Sequence, residues 1–307
     1  MSGKKNLTIF ANHKWSKVGI LTLAAVTLAS PALAQNQAAQ PEAKIAVSGA
    51  ADINITPRRV IFDRKKRTET IYVFNQGNAA VSVDVALVDN VMLPSGEIVP
   101  VAGAMEQEGA AETASKVRSA KPILLSAPSR LTLPPGKGRT IRVRALPPEA
   151  NDSAEYRTHL TVTTLPPPET GLTAEQAAAE ERGELVFRIQ SIFGLSIPLI
   201  VRHGDVAATA AISEVTPVED AQGNHGLRVT LTRDGSASTY GNLEARVGDK
   251  EVVGLIRGLG IYPEIGKRSI ILPLLRPLQT GETVRIRYFS DDARRDGAMA
   301  DTGFTAP

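Results

Sequence analysis

Residues 67–87 read RTETIYVFNQGNAAVSVDVAL, and two strands with a turn between them are written there. In the first half Thr68, Thr70, Tyr72 and Phe74 fall on one side, with Ile71 and Val73 on the other. In the second half Val81, Val83, Val85 and Leu87 alternate with Ser82, Asp84 and Ala86. A period of two built on β-branched residues is the mark of half-buried antiparallel strands. Asn75-Gln76-Gly77-Asn78 supplies the turn.

The same alternation runs outward in both directions. Ile141 and Val143 alternate with Arg142 and Arg144, and Tyr156, Thr158, Leu160 and Val162 with Arg157, His159 and Thr161. Pro94-Ser95-Gly96 and Pro134-Pro135-Gly136 mark further turns. After Gly204 the pattern resumes over Ala207–Val215, Leu227–Leu231, Leu243–Val247, Ser269–Leu272 and Val284–Tyr288. Short strands at this spacing predict β-sandwiches, and 307 residues suffice for two domains. The expected fold is all-β, with two sandwiches.

The expected organisation is a signal peptide over 1–34, a flexible mature N-terminus over 35–50, one sandwich over 51–203, a second over 204–290 and a disordered polar tail over 291–307. Lys4, Lys5, Lys14 and Lys17, the apolar run Val18–Leu28, and Ala32-Leu33-Ala34 carry the signal-peptide reading. The apolar run is shorter than the roughly 20 residues that a bilayer needs, which disfavours the alternative of an uncleaved anchor. Removing these four lysines from 35 basic residues leaves 31 against 32 acidic ones, a net charge of −1 in place of +3. The basic balance is therefore no evidence for nucleic acid, and Trp15 leaves with the leader. Two stretches break the strand pattern: 102–120, read as a surface insertion, and 166–183, read as a mobile loop.

The chain has no cysteine, so neither a disulfide nor a thiolate metal site can form. His159, His203 and His225 lack metal-ligand spacing, and His159 reads as a solvated strand residue. Pro135-Gly136-Lys137-Gly138 joins two strands and has no helix after it, so it reads as a turn and not as a phosphate loop. No nucleophile elbow is present. These absences give no support to an enzyme, a cofactor, a metal or a small-molecule substrate.

Three segments together resemble the periplasmic pilus (fimbrial) chaperones of chaperone–usher systems. The first is Arg58-Arg59-Val60-Ile61-Phe62 with the strand closed by Asn75; the second is 122–144, PILLSAPSRLTLPPGKGRTIRVR; the third is 154–168, AEYRTHLTVTTLPPP. A long strand then runs into Val201-Arg202, similar to the family's domain junction. The resemblance covers 51–203, and the second domain only by length and strand pattern. It implies two immunoglobulin-like sandwiches set at an angle with a cleft between them, in a non-enzymatic periplasmic protein whose partners are a pilus or fimbrial subunit and an outer-membrane usher. Chaperone–pilin strand donation is a form of β-augmentation, in which one protein adds a strand to another's open sheet. The implied donor is 184–201, ELVFRIQSIFGLSIPLIV, with Phe187, Ile189, Phe193 and Leu195 on one parity. Pro198 argues against a regular central strand there, and Gly194 is a candidate bulge.

The resemblance also implies a basic pair that holds the client's C-terminal carboxylate. One member maps to Arg59. The other, a lysine in the family, maps to Pro198 here. Arg188 or Arg202 could substitute, Arg59 could act alone, or clients could be held differently. A structural or adaptor protein of the envelope on the same two-sandwich frame is the alternative reading, since a frame does not fix a function.

Overall fold

The computed structural model describes residues 44–47, 52–149, 152–166, 186–189, 191–248, 250–290 and 297–307, with 44–47 and 186–189 described by their backbone alone. The leader expected over 1–34, and the loop expected over 166–183 from Pro167 onward, lie outside the described residues.

β1 (Lys44–Val47) precedes the first sandwich, which uses β2 (Ile53–Thr56), β3 (Val60–Phe62), β4 (Thr68–Asn75) and β5 (Val81–Val88). An insertion follows, made of the hairpin β6 (Asn90–Met92) and β7 (Ile98–Pro100) and the short helices α1 (Val101–Met105) and α2 (Ala111–Ser115). The sandwich then continues with β8 (Leu124–Ala127), β9 (Arg130–Leu133), β10 (Gly138–Ala145), β11 (Ala154–Thr164) and, after β12 (Val186–Ile189), β13 (Gly194–His203). β1 and β12 form a two-stranded sheet of their own. One sheet has the order β2-β4-β10-β8 and the other β3-β13-β11-β5-β9.

The stretch that decides the fold thus crosses from one sheet to the other. Ile71 and Val73 of β4 meet Val83 and Val85 of β5 in one core with Phe62, Leu133, Ile141, Leu160 and Leu199. Asn75 makes the crossing at no cost in unpaired polar groups. Its buried side-chain amide donates to the carbonyls of Ala79 at 2.7 Å and Leu133 at 3.0 Å, and its oxygen accepts from the Gly77 N–H at 2.9 Å. Pro135–Gly138 is a turn between β9 and β10, closed by the Lys137 N–H to Pro134 carbonyl bond, with Gly136 at φ 64°.

The second sandwich is built from β14 (Ala208–Glu219), β15 (His225–Gly235), β16 (Thr239–Val247), β17 (Glu251–Ile261), β18 (Lys267–Pro273), β19 (Thr283–Ser290) and β20 (Ala298–Thr305). Its sheets run β14-β15-β18 and β17-β16-β19-β20. Leu227, Leu231, Leu243, Leu272, Ile286 and Tyr288 fill its core.

Several expectations need correction. The tail expected to be disordered over 291–307 contributes β20, which pairs with β19 from Thr283↔Thr305 to Phe289↔Ala298 and buries Ala300. Its small and polar residues hide a strand that the ladder to β19 holds. The N-terminus expected to be flexible over 35–50 contributes β1, paired in parallel with β12 from Lys44↔Val186 to Val47↔Ile189. β17 escaped notice because Gly254, Gly258 and Gly260 interrupt its alternation; at Gly260 a side chain would collide with Tyr240. The insertion has a small core of its own, from Val91, Ala104, Ala110 and Ala114.

Candidate functional site

β13 has one covered edge and one open edge. Along the first it pairs with β11 without a break from Ala154↔His203 to Thr163↔Gly194. Gly194 therefore begins a regular strand and forms no bulge. Along the other edge β3 pairs in parallel only with Leu199, Ile200 and Val201. Among the described residues, nothing pairs with that edge from Gly194 to Pro198.

Pro198 fits because of which way its nitrogen points. The Thr164 N–H donates to the Phe193 carbonyl at 2.8 Å. In an antiparallel ladder such bonded pairs recur every second residue, so Leu195, Ile197 and Leu199 bond to β11. Gly194, Ser196 and Pro198 turn their backbone groups to the open edge. A proline there removes no bond to β11, which is the one place a strand tolerates it. The strand runs through Pro198 with its outer edge open there, so at this position it is not a central strand paired on both sides.

The side chains divide by the same parity. Ile197, Leu199 and Val201 are buried in the sandwich's own core, and Leu195 packs against it. Leu195 therefore serves its own sandwich. At the strand's entry Ile192 and Phe193 are 63 % and 38 % exposed. Phe193 is fixed there by its N–H, which donates to Thr164 Oγ1 at 2.8 Å. Phe187, Ile189 and Arg188 belong to β12, whose side chains lie outside the described residues.

Arg59 sits at the far end of the open edge. Since Val60 is opposite Leu199 in the parallel pairing, Arg59 enters beside Pro198. Its guanidinium lies over the ring of Tyr240 in the second sandwich, 4.0 Å from the centroid. Stacking of this kind holds a planar cation in place. Arg58 and the Lys65-Lys66-Arg67 turn are exposed, with Lys66 paired to Glu69. Arg202 is committed elsewhere: its Nε donates to Glu155 at 3.1 Å and its Nη2 to the Ser238 carbonyl at 3.2 Å.

The outward face of β11 is closed by the second sandwich. Arg157 is bidentate to Glu264, with 3.0 Å from Nη1 to Oε2 and 2.5 Å from Nη2 to Oε1. These side chains are only 4 % and 1 % exposed. Arg157 also lies 3.7 Å from the centre of the Tyr262 ring. Burial alone would lower the Arg157 pKa, but the Glu264 carboxylate outweighs it and holds the guanidinium charged. Glu155 accepts from the Ser238 N–H at 3.1 Å in addition to Arg202.

His159, expected to be solvated, is 2 % exposed on this same face. It lies opposite Pro198 in the ladder and next to Tyr262, ring centres 6.1 Å apart. Burial, with Arg157 adding repulsion, lowers its pKa from 6.5 to about 3, so it is neutral at pH 7. Burial likewise pushes the Tyr240 and Tyr262 hydroxyl pKa values up. The sequence expectation failed here because alternation tells apolar from polar faces but not whether a second domain covers the polar one. Arg157, Glu264, Glu155, Tyr240 and Tyr262 carried no local signal at all.

Among the described residues no group of acidic or histidine side chains is arranged to hold a metal, and no helix is long and apolar enough to cross a membrane. No family model and no curated protein matches the chain. Solved structures do, at low identity. The Escherichia coli chaperone DraB is 18% identical and has a TM-score of 0.42, over 86% of this chain and 99% of that one. The Salmonella enterica SafA pilin in complex with the SafB chaperone gives 16% identity and a TM-score of 0.43, over 85% and 99%. The Pseudomonas aeruginosa CupB2 chaperone gives 12% and 0.40, over 83% and 100%. The structures that the chain resembles are fimbrial and pilus chaperones.

Proposed function

We propose that this chain is a periplasmic chaperone that holds a fimbrial or pilus subunit by adding a strand to it, and passes the subunit to an outer-membrane usher. The observation that carries this reading is the open edge of β13, Gly194–Pro198, which runs from an exposed Ile192-Phe193 pair to a cation at Arg59. A subunit lacking a strand exposes an apolar groove and unpaired backbone groups. The open edge supplies the Gly194 and Ser196 N–H groups and carbonyls, and Phe193 supplies apolar surface. Arg59 supplies a fork of donors for a chain-terminal carboxylate. No cofactor takes part, because strand exchange needs only backbone pairing and burial.

With proline at 198 and a neutral His159 opposite it, Arg59 is the cation that reaches the end of this edge. Arg202, bound to Glu155, serves the domain interface, so in this reading Arg59 holds the carboxylate among the residues whose side chains are described, Arg188 lying outside them. That departure from the family's basic pair is also what favours the second reading, an envelope adaptor on the same frame without client binding.

The two separate in a co-purification with a fimbrial subunit encoded beside this chain. The chaperone reading expects a soluble one-to-one complex. A charge-assisted hydrogen bond contributes about 1.5 kcal/mol or more, so Arg59→Ala should weaken binding about tenfold while its thermal melt stays close to that of the unaltered chain. Phe193→Glu should weaken binding at least as much, by placing an unpaired charge in an apolar groove. Lys65→Ala, an exposed charge, should change little. A subunit that stays equally soluble without this chain, or that binds all three folded variants alike, sinks the chaperone reading in favour of the adaptor.

A further inference from the structure

The insertion between β5 and β8 belongs to the first sandwich by sequence and to both by contact. Its two ends are tied together on the first. Asp89 accepts the Val101 N–H through its carbonyl at 2.9 Å and the Ser119 hydroxyl through its carboxylate at 2.8 Å. The Arg157 N–H donates to the Arg118 carbonyl at 2.8 Å, and the Ala120 N–H to the Arg157 carbonyl at 3.1 Å. The middle of the insertion lies on the second sandwich. Met92 is buried in that sandwich's core with Leu227, Leu259 and Ile261. Gly96, at φ 88°, lies so close to Arg268 of β18 that any side chain there would collide with the guanidinium. The helices α1 and α2 stiffen the piece through its own small core.

The insertion also completes both halves of the buried ion pair. The Met92 N–H donates to Glu264 Oε1 at 2.8 Å, and Arg157 Nη2 donates to the Asn90 carbonyl at 3.2 Å. A buried ion pair offsets its desolvation only when its remaining donors and acceptors are also satisfied. Two of those satisfying groups come from β6.

We propose that Asn90–Val117 is a brace between the sandwiches, and that it, and not the Arg157–Glu264 pair alone, holds them in one orientation. The brace keeps the cleft beside Arg59 in a single shape, so that a ligand of the cleft binds without first ordering two domains. This inference stands on the packing and is independent of what the cleft binds.

The test is a mature chain in which Val91–Val117 is replaced by six Gly/Ser residues. The hydrogen bond from Ser119 to Asp89 shows that the ends need no long span. Backbone ¹⁵N relaxation reads the tumbling of each sandwich separately. The unaltered chain is expected to give one shared correlation time. The shortened chain should give two different, shorter times, with the amide shifts of Ile71 and Ile141, and of Val229 and Ile286, kept within their own sandwiches. One shared time in the shortened chain, with both sandwiches folded, overturns the proposal and assigns the orientation to the ion pair. If the shortened chain does not fold, Met92→Ala decides. It should speed hydrogen exchange at the interface amides of Ala237, Ser238 and Glu264 at least tenfold more than at the core amides of Val229 and Ile286. Equal changes at both sets overturn it. Met105→Ala, on the exposed side of α1, is the control and should alter neither.

Discussion

Glu264→Ala is expected to destabilise the protein by about 3–5 kcal/mol, the usual cost of leaving one charge of a buried pair without its partner. Arg157 cannot turn to water, because its side chain is 4 % exposed and Tyr262 covers its face. The Met92 N–H loses its acceptor in the same change. Replacing both partners, Arg157→Met with Glu264→Leu, should recover only part of the loss: it removes the unpaired charge, but the Met92 N–H and the Asn90 carbonyl still lack their partners. Urea unfolding of the single and double variants measures both effects. A loss under about 1 kcal/mol in Glu264→Ala would place the pair among exposed ones and remove it from the account of the interface.

How much of this was written in the sequence depends on whether a feature is local. The alternation at 67–87 set Ile71 and Val73 on one face of their strand and Val83 and Val85 on one face of theirs, and all four lie in one core. Burial on one face of a strand leaves a local record of period two. Which sheet each strand joins leaves none, so nothing at 67–87 announced that β4 and β5 lie in different sheets. β20 was missed for a related reason. Its residues, Ala298-Met299-Ala300-Asp301-Thr302-Gly303-Phe304-Thr305, have weak strand preference, and the hydrogen bonds of β19 hold them in place.

The candidate site divides the same way. Arg59 and Phe193 could be singled out from the segments that hold them. The pairing that leaves Gly194–Pro198 open could not, because it depends on where β3 ends. Pro198 was read as a sign against a regular central strand, and it lies where the outer edge of β13 is open. A proline costs a bond only on the side its nitrogen faces, and that side is fixed by the register with β11. His159 of β11 was read as solvated because a sequence does not say where a second domain sits. Arg157 and Glu264 are 107 positions apart, and only the packing of two completed sandwiches brings them together.

The neutral His159 should make the protein acid-sensitive in a window where its carboxylates do not. In the unfolded chain it titrates near 6.5, and in the native one near 3. Above pH 6.5 it is neutral in both states and contributes nothing to the pH dependence. As the pH falls below 6.5 the unfolded chain takes up a proton that the native interface refuses, and stability is lost at up to about 1.4 kcal/mol per pH unit. Between pH 7 and pH 5 the loss should reach about 2 kcal/mol. Burial is the main resistance to the proton, and the charge on Arg157 of the same strand adds to it; Tyr262 of the second sandwich packs against the ring. Glu282, held by Arg276 down to about 2, keeps its ion pair throughout this range. His159→Gln removes the titrating group and keeps a polar side chain. Its stability at pH 7 should shift by a packing cost alone, and its urea midpoint should vary much less from pH 7 to pH 5 than that of the unaltered chain. If the two chains lose stability in parallel over that interval, His159 is not the group that carries the acid sensitivity, and the interface tolerates a second cation beside Arg157.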